Sequence, residues 1–194
     1  MSGLRRVRRP VIIDACPAWA TRGAELCEDL RSALRPLAVR VDHVGGTAVP
    51  GMASQDVIDL QVSVRNLDRA AESFDAPLAG LGFTRCPAEP EHAPAGWDGA
   101  PAAGRARVWC RRGHPDGDAR VSAHLSGSPE ERRALLLRDW FRAHPEAVPG
   151  YSGYQRALAA AVAGHSGYAE VMAPVTDLLT ELAESWAART GWRP

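Results

Sequence analysis

In Val57–Val64, VIDLQVSV, the apolar residues Ile58, Leu60, Val62 and Val64 alternate with Val57, Asp59, Gln61 and Ser63. Side chains on an extended chain point alternately to opposite faces, so this period of two predicts a β-strand. The apolar face belongs to the core, and Asp59 and Gln61 then point together into whatever lies opposite. Upstream, Val39, Val41 and His43 alternate with Arg40, Asp42 and Val44, which predicts a second strand. Between the two lie a glycine turn, Gly45-Gly46-Thr47, and the breaker Pro50-Gly51.

The flanks extend this pattern. Trp19, Gly23, Leu26, Cys27, Leu30 and Leu34 recur at helical spacing until Pro36 stops them, and Val11–Ile13 suits a short strand. Asn66-Leu67-Asp68 opens a helix to about Leu81, and Gly82-Phe83-Thr84 leads into an edge strand. Residues 86–104, dense in Pro, Gly and Ala, predict a long loop at the rim of any cleft. Arg105–Arg112 and Arg120–Leu125 predict a strand pair; Arg107 and Arg111 share a face of the first strand, and Arg120, Ser122 and His124 share a face of the second. Ser128-Pro129-Glu130-Glu131 is a capping box with proline at the first helical position. The helix it opens ends at His144-Pro145, and Tyr151–Ala163 and Tyr168–Thr190 follow as helices, with Pro174 early in the last. The fold class is α+β: a small mixed β-sheet with flanking helices and a helical C-terminal third, about residues 128–192. Residues 1–10 read as a flexible basic arm and 11–194 as a single domain.

Composition narrows the partners. The 194 residues carry 23 basic and 23 acidic side chains and no net charge, so no global field draws the chain to nucleic acid. No apolar run is long enough for a membrane span or a signal peptide, which makes the cytoplasm the expected location. Every basic residue is arginine, so no lysine serves as nucleophile or phosphate anchor. Cys16, Cys27, Cys86 and Cys110 lie scattered with no C-x-x-C pair and read as reduced core thiols.

A glycine turn after one strand and an acid on the next suits nucleotidyl transfer, in which backbone amides approach phosphate and paired acids hold Mg²⁺. Here the second acid of the usual pair is an amide, Gln61. The longer stretch HVGGTAVPGM…DVIDLQV resembles the GrpB (UPF0157) family. So do VWCRRGHPDGDARVSAHL and GSPEERRALLLRDWFRAHPEAVPGYSGYQRAL, in the same order. The flavour is that of the GrpB-like domain of actinobacterial dephospho-CoA kinases, here without a kinase P-loop motif. The resemblance implies a nucleotidyltransferase-like fold with a cleft edged by the glycine turn and the Asp strand. Matching positions are His43, Gly45, Gly46 (serine in the family pattern), Thr47, Pro50, Gly51, Asp59, Arg111, His124, Arg138 and Asp139. Gln55, Cys110, Gln155 and Met172 stand where the pattern reads lysine.

The resulting expectations are specific. Gly45, Gly46 and Thr47 would hold phosphate, with His43 and Gln61 beside them. Asp59 would bind metal or instead accept from the glycine-turn amides, and Asp42, Asp56, Asp116 or Asp118 would supply any further acid. Arg107 and Arg111, with His124 as proton acceptor, would meet a second substrate. Arg138 and Asp139 would pair structurally, and Trp140, Trp186 and Trp192 would pack. The candidate cofactors are Mg²⁺ and ATP or another nucleotide; the partners are a small-molecule substrate or nucleotide, with a protein partner or homodimer also open. Nucleotidyl transfer or acid activation stands beside two alternatives: a non-catalytic ligand-binding or partner-supporting domain, and metal-independent chemistry in specialised metabolism.

Overall fold

The structure, a computed structural model, describes residues 10–86, 106–162 and 165–194. The N-terminal arm and the Pro/Gly/Ala-rich segment expected as a loop therefore lie outside the described residues, apart from their borders. The elements run α1 (Ala18–Ala33), β1 (Ala38–Val44), a 3₁₀ turn (Gly46–Ala48), β2 (Val57–Val64), α2 (Leu67–Ser73), α3 (Asp75–Gly80) and β3 (Thr84–Cys86). They continue with β4 (Arg107–Arg111), β5 (Asp118–Leu125), α4 (Pro129–Ala143), a 3₁₀ turn (Pro145–Ala147), α5 (Val148–Ala161) and α6 (His165–Thr190). The strands form one mixed sheet in the order β1-β2-β5-β4-β3, antiparallel except for the central β2–β5 pair. This is the α+β architecture that the sequence pattern implies.

Strand periodicity sorts the sheet into two faces. Val41, Ile58, Leu60, Val62, Val64, Trp109, Val121 and Ala123 pack against α1, α2 and α3 in the main core, with Leu30, Phe74 and Phe83 among the partners. On the opposite face α4, α5 and α6 build a second cluster of Leu136, Trp140, Phe141, Val148, Ala183 and Ala187. It is joined by Val49 and Met52 from the β1–β2 connection and flanked by Trp186 and Trp192.

Local chemistry sets the boundaries. The Ser128 hydroxyl accepts from the Glu131 amide, while the Glu131 carboxylate reaches back to the Gly127 amide, one residue before the usual capping-box partner. The helix expected over residues 66–81 is two short helices. Asn66 caps the first by accepting from the Arg69 amide, and Phe74 separates them. Val11–Ile13 makes only an isolated bridge, Ile13 to Ser54. The last helix passes through Pro174 without interruption.

The cysteine expectation needs correction. Cys16 and Cys27 are free, but Cys86 and Cys110 form a disulfide. Thr84 pairs with Cys110 and Cys86 with Val108, so the two cysteines sit diagonally across the edge strand β3 and its neighbour β4 with their Cα atoms 6.0 Å apart. Their separation of 24 residues hides this, because the β3–β4 register is not readable from spacing. Closing a loop of that length restrains the unfolded chain by about 3 kcal/mol. Cys86→Ser, or reduction under native conditions, should lower unfolding stability by roughly that amount in urea titrations. A loss below about 1 kcal/mol would mean that the strand pairing holds without the bond.

Candidate functional site

A cleft of about 650 Å³ opens on the helical-cap face of the sheet, between the strand ends and α4, α5 and α6. Its floor follows from register. Asp59 is level with Arg120, Gln61 with Ser122, and Ser63 with His124 across the parallel β2–β5 pair, so all six side chains share one face. The glycine turn forms the adjoining wall. Gly45 has φ +74°, and a Cβ there would stand 2.8 Å from the Asp59 carboxylate, so only glycine lets the turn lie against the acid. A Cβ at Gly46, the serine position of the family pattern, would meet the Ser54 hydroxyl at 2.7 Å. Met52, Leu137, Phe141, Tyr151 and Leu179 supply an apolar wall.

Asp59 lies at the mouth of the cleft. Arg120 Nε donates to Asp59 Oδ1 at 2.8 Å, with both side chains partly exposed. The acid is thus engaged by a guanidinium, not by the glycine-turn amides. Gln61 is fully buried, and its Nε2 donates to the Glu131 carbonyl in the first turn of α4. Burial pushes the His124 imidazole below its ordinary pKa despite the pull of Glu130 and Glu131, which keeps the ring neutral near pH 7.

Three groups of expected site residues separate from this cleft. Arg107 and Arg111 sit opposite Ala123 and Ala119, and therefore on the main-core face; strand alternation takes both away from Asp59. Arg107 pairs with Asp68 on α2, and Arg111, 6% exposed, lays its guanidinium over the Phe83 ring. Neither faces the cleft, which corrects the expectation that they meet a second substrate together with His124. The cleft-facing arginine of that strand end is Arg112, one position on.

His43 and Thr47 also turn away. His43 is level with Leu60, on the α1 side. There it shares a second concavity of about 780 Å³ with Trp19, Cys27 and Arg31. Thr47 Oγ1 donates to the Val57 carbonyl and takes the His43 Nε2 contact at 2.9 Å. Burial lowers the His43 pKa to about 4, so the ring is neutral and serves the turn. Thr47, buried with its hydroxyl engaged, is not presented to phosphate in the Asp59 cleft.

The cleft's charge is the feature that sequence reading understated. Among the described residues, Arg112, Arg120, Arg133 and Arg138 line it together with one carboxylate, Asp59. Of the other acids considered as metal ligands, Asp42 pairs with Arg40 and Arg138, and Asp56 accepts from Trp19 and Arg22. Asp116 contacts His114, and Asp118 accepts from the Gly113 amide. None of the four lines the cleft, and no cluster of three His, Cys, Asp or Glu gathers among the described residues. Among the described residues the cleft thus offers one carboxylate, already held by a guanidinium, whereas a two-metal site needs several oxygen donors. Two positions where the family pattern reads lysine, Cys110 and Gln155, line this cleft, and Gln155 is buried.

An α+β fold with an arginine-lined cleft between a mixed sheet and a helical cap is the framework these observations define. A family model described as GrpB protein matches residues 9–181, and the chain belongs to the GrpB family. It is 32% identical over 207 residues to a dephospho-CoA kinase of Mycolicibacterium paratuberculosis, covering 96% of this chain and 49% of that protein. The UPF0157 protein YqkA of Bacillus subtilis is 31% identical over 142 residues, covering 73% of this chain and 37% of that protein. The chain thus spans about half or less of these relatives. Among solved structures, the conserved protein GrpB from Enterococcus faecalis superposes with a TM-score of 0.70 at 20% identity, covering 91% of this chain and 99% of that one. Among the described residues, no helix is long and apolar enough to cross a membrane.

Proposed function

We propose that the cleft binds a small phosphate-bearing ligand, a nucleotide, through guanidinium groups and without a metal ion. One observation carries this reading: among the described residues Arg112, Arg120 and Arg133 line the cleft beside Arg138, whose guanidinium is committed to Asp42 and Asp139, and the one acid lining it, Asp59, is bonded to Arg120. Guanidinium forks match phosphate oxygens in charge and geometry, and the apolar wall suits a flat organic group. Relatives named for phosphorylating dephospho-CoA are consistent with a nucleotide-like ligand. Nucleotidyl transfer through bound Mg²⁺ would need donors that the described residues of this cleft do not gather, so no catalytic step is assigned to it.

A second reading has its own support. The chain corresponds to about half of the matching kinase, so the domain can act as a ligand-binding partner of an enzyme rather than as a catalyst. Both readings share the same test. ATP, AMP, dephospho-CoA and pyrophosphate should each be titrated in thermal-unfolding experiments, in EDTA and again in Mg²⁺. A true ligand at a hundredfold excess over Kd should add about 2.7 kcal/mol of stability, with or without EDTA. Stabilisation that disappears in EDTA would restore the metal-dependent reading, and flat curves throughout would end both.

A further inference from the structure

Depth in the cleft separates two kinds of chemistry. The mouth carries Arg112 and the partly exposed Arg120–Asp59 pair, while Gln61 at the inner end is 0% exposed. Polar atoms at this inner end lack hydrogen-bond partners within the described structure: Gln61 Oε1 and His124 Nδ1, with Gln155 Oε1 from the facing helix. Buried polar atoms are nearly always bonded, so unmet ones lining a cleft mark where a ligand group belongs. The Gln61 amide cannot turn over to satisfy itself. Its Nε2 is committed to the Glu131 carbonyl at 3.1 Å, and a flip would set oxygen against oxygen. Gln61 therefore offers the cleft an acceptor only. Burial keeps His124 neutral, so its Nδ1 can donate or accept by choice of tautomer.

We propose that this inner end is a base-recognition subsite selecting nucleotides that carry an exocyclic amino group, adenine or cytosine, over the oxo-bearing hypoxanthine and uracil. The inference rests on the nucleotide-binding reading above and gives it a direction. The amino N–H donates to Gln61 Oε1, and the neighbouring unprotonated ring nitrogen accepts from His124 as its Nδ1–H tautomer. An oxo group in the same place would confront Gln61 Oε1 with a second acceptor and leave both unpaired. Sites built around a hydrogen bond reject analogues that lack the matching group far more strongly than apolar pockets reject a changed shape. Phe141, Tyr151 and Leu137 flank the base. The rise of about 3.3 Å per residue puts His124 about 13 Å along β5 from Arg120, which leaves a sugar-sized interval between base and phosphate.

The test uses the intact chain and isothermal titration in EDTA with ATP, ITP, CTP and UTP. All four carry the same triphosphate, so the arginine contacts are common and only the base edge differs. ATP and CTP should bind roughly tenfold or more tighter than ITP and UTP. Gln61→Met, similar in size and without the acceptor, should erase the ATP-over-ITP preference. Equal affinities for the four nucleotides would overturn the subsite while leaving phosphate binding in place. A folded Gln61→Met protein that keeps the preference would overturn it too. Should that variant fail to fold, the four-nucleotide comparison on the unaltered protein still decides. If none of the four binds, the nucleotide reading falls and the subsite with it.

Discussion

Arg138→Ala is expected to destabilise the fold by about 3–5 kcal/mol, the cost of stranding charges in a buried pair. Arg138 sits on α4 with only 10% of its side chain exposed. It donates to both Asp139 carboxylate oxygens, at 2.7 and 3.1 Å, and to Asp42 and the His43 carbonyl, each at 3.2 Å. Trp192 Nε1 adds a bond to Asp139 at 3.2 Å, so one guanidinium ties α4 to β1 and to the C-terminal end of the chain. Without it two carboxylates remain in a poorly solvated space. Burial alone would raise the Asp139 pKa, but the Arg138 and Trp192 bonds and Arg142 outweigh it and hold the group below its ordinary 3.8. A folded-state pKa depressed in this way gives stability that is complete above the unfolded value and is lost as pH falls through the folded one. The wild-type protein should therefore lose this contribution below about pH 4, and the gap between wild type and Arg138→Ala should narrow there. Urea titrations across that range check both statements. A loss under 1 kcal/mol at neutral pH would mean that water replaces the guanidinium.

The same residues show what the sequence makes legible. The alternation in Val57–Val64 carries enough information to place Asp59 and Gln61 on one face, because a strand's period is enforced by backbone geometry. Adjacent Arg138-Asp139 is readable as a structural pair, since neighbours in sequence can meet without knowledge of the fold. Arg107 and Arg111 were legible as sharing a face, but which face was not. That choice depends on pairing β4 with β5 in a register that sets Ala119, Val121 and Ala123 beside them in the core. The side on which His43 lies has a related cause. The motif puts it two residues from Gly45, but alternation turns it toward α1, where Gly23 leaves room for the ring: a Cβ at Gly23 would stand 2.1 Å from His43 Nδ1. The Cys86–Cys110 bond and the arginine excess in the cleft are products of long-range pairing, which local patterns do not encode.

Arg120→Ala should weaken nucleotide binding by about tenfold or more, since charge-assisted hydrogen bonds contribute roughly 1.5–3 kcal/mol. The companion substitution, Asp59→Asn, separates a guanidinium site from a metal site more sharply. Side-chain exposures of 25% for Asp59 and 45% for Arg120 mark their bond as a surface ion pair, worth about 0–1 kcal/mol. Asp59→Asn should therefore melt within a few degrees of wild type. It also removes the one carboxylate that lines the cleft among the described residues and takes it from Arg120 Nε, which it meets at 2.8 Å, so a triphosphate meets a more positive mouth. Affinity for ATP in EDTA should hold or rise a few-fold. If Asp59 instead carries a metal, the same substitution abolishes binding, and wild-type binding requires Mg²⁺ from the start. Calorimetry on the two variants, with and without EDTA, gives opposite signs for the two cases. Weaker ATP binding by Asp59→Asn together with a Mg²⁺ requirement in the wild type would overturn the guanidinium reading, because a cation bridging carboxylate and phosphate is the arrangement that produces both.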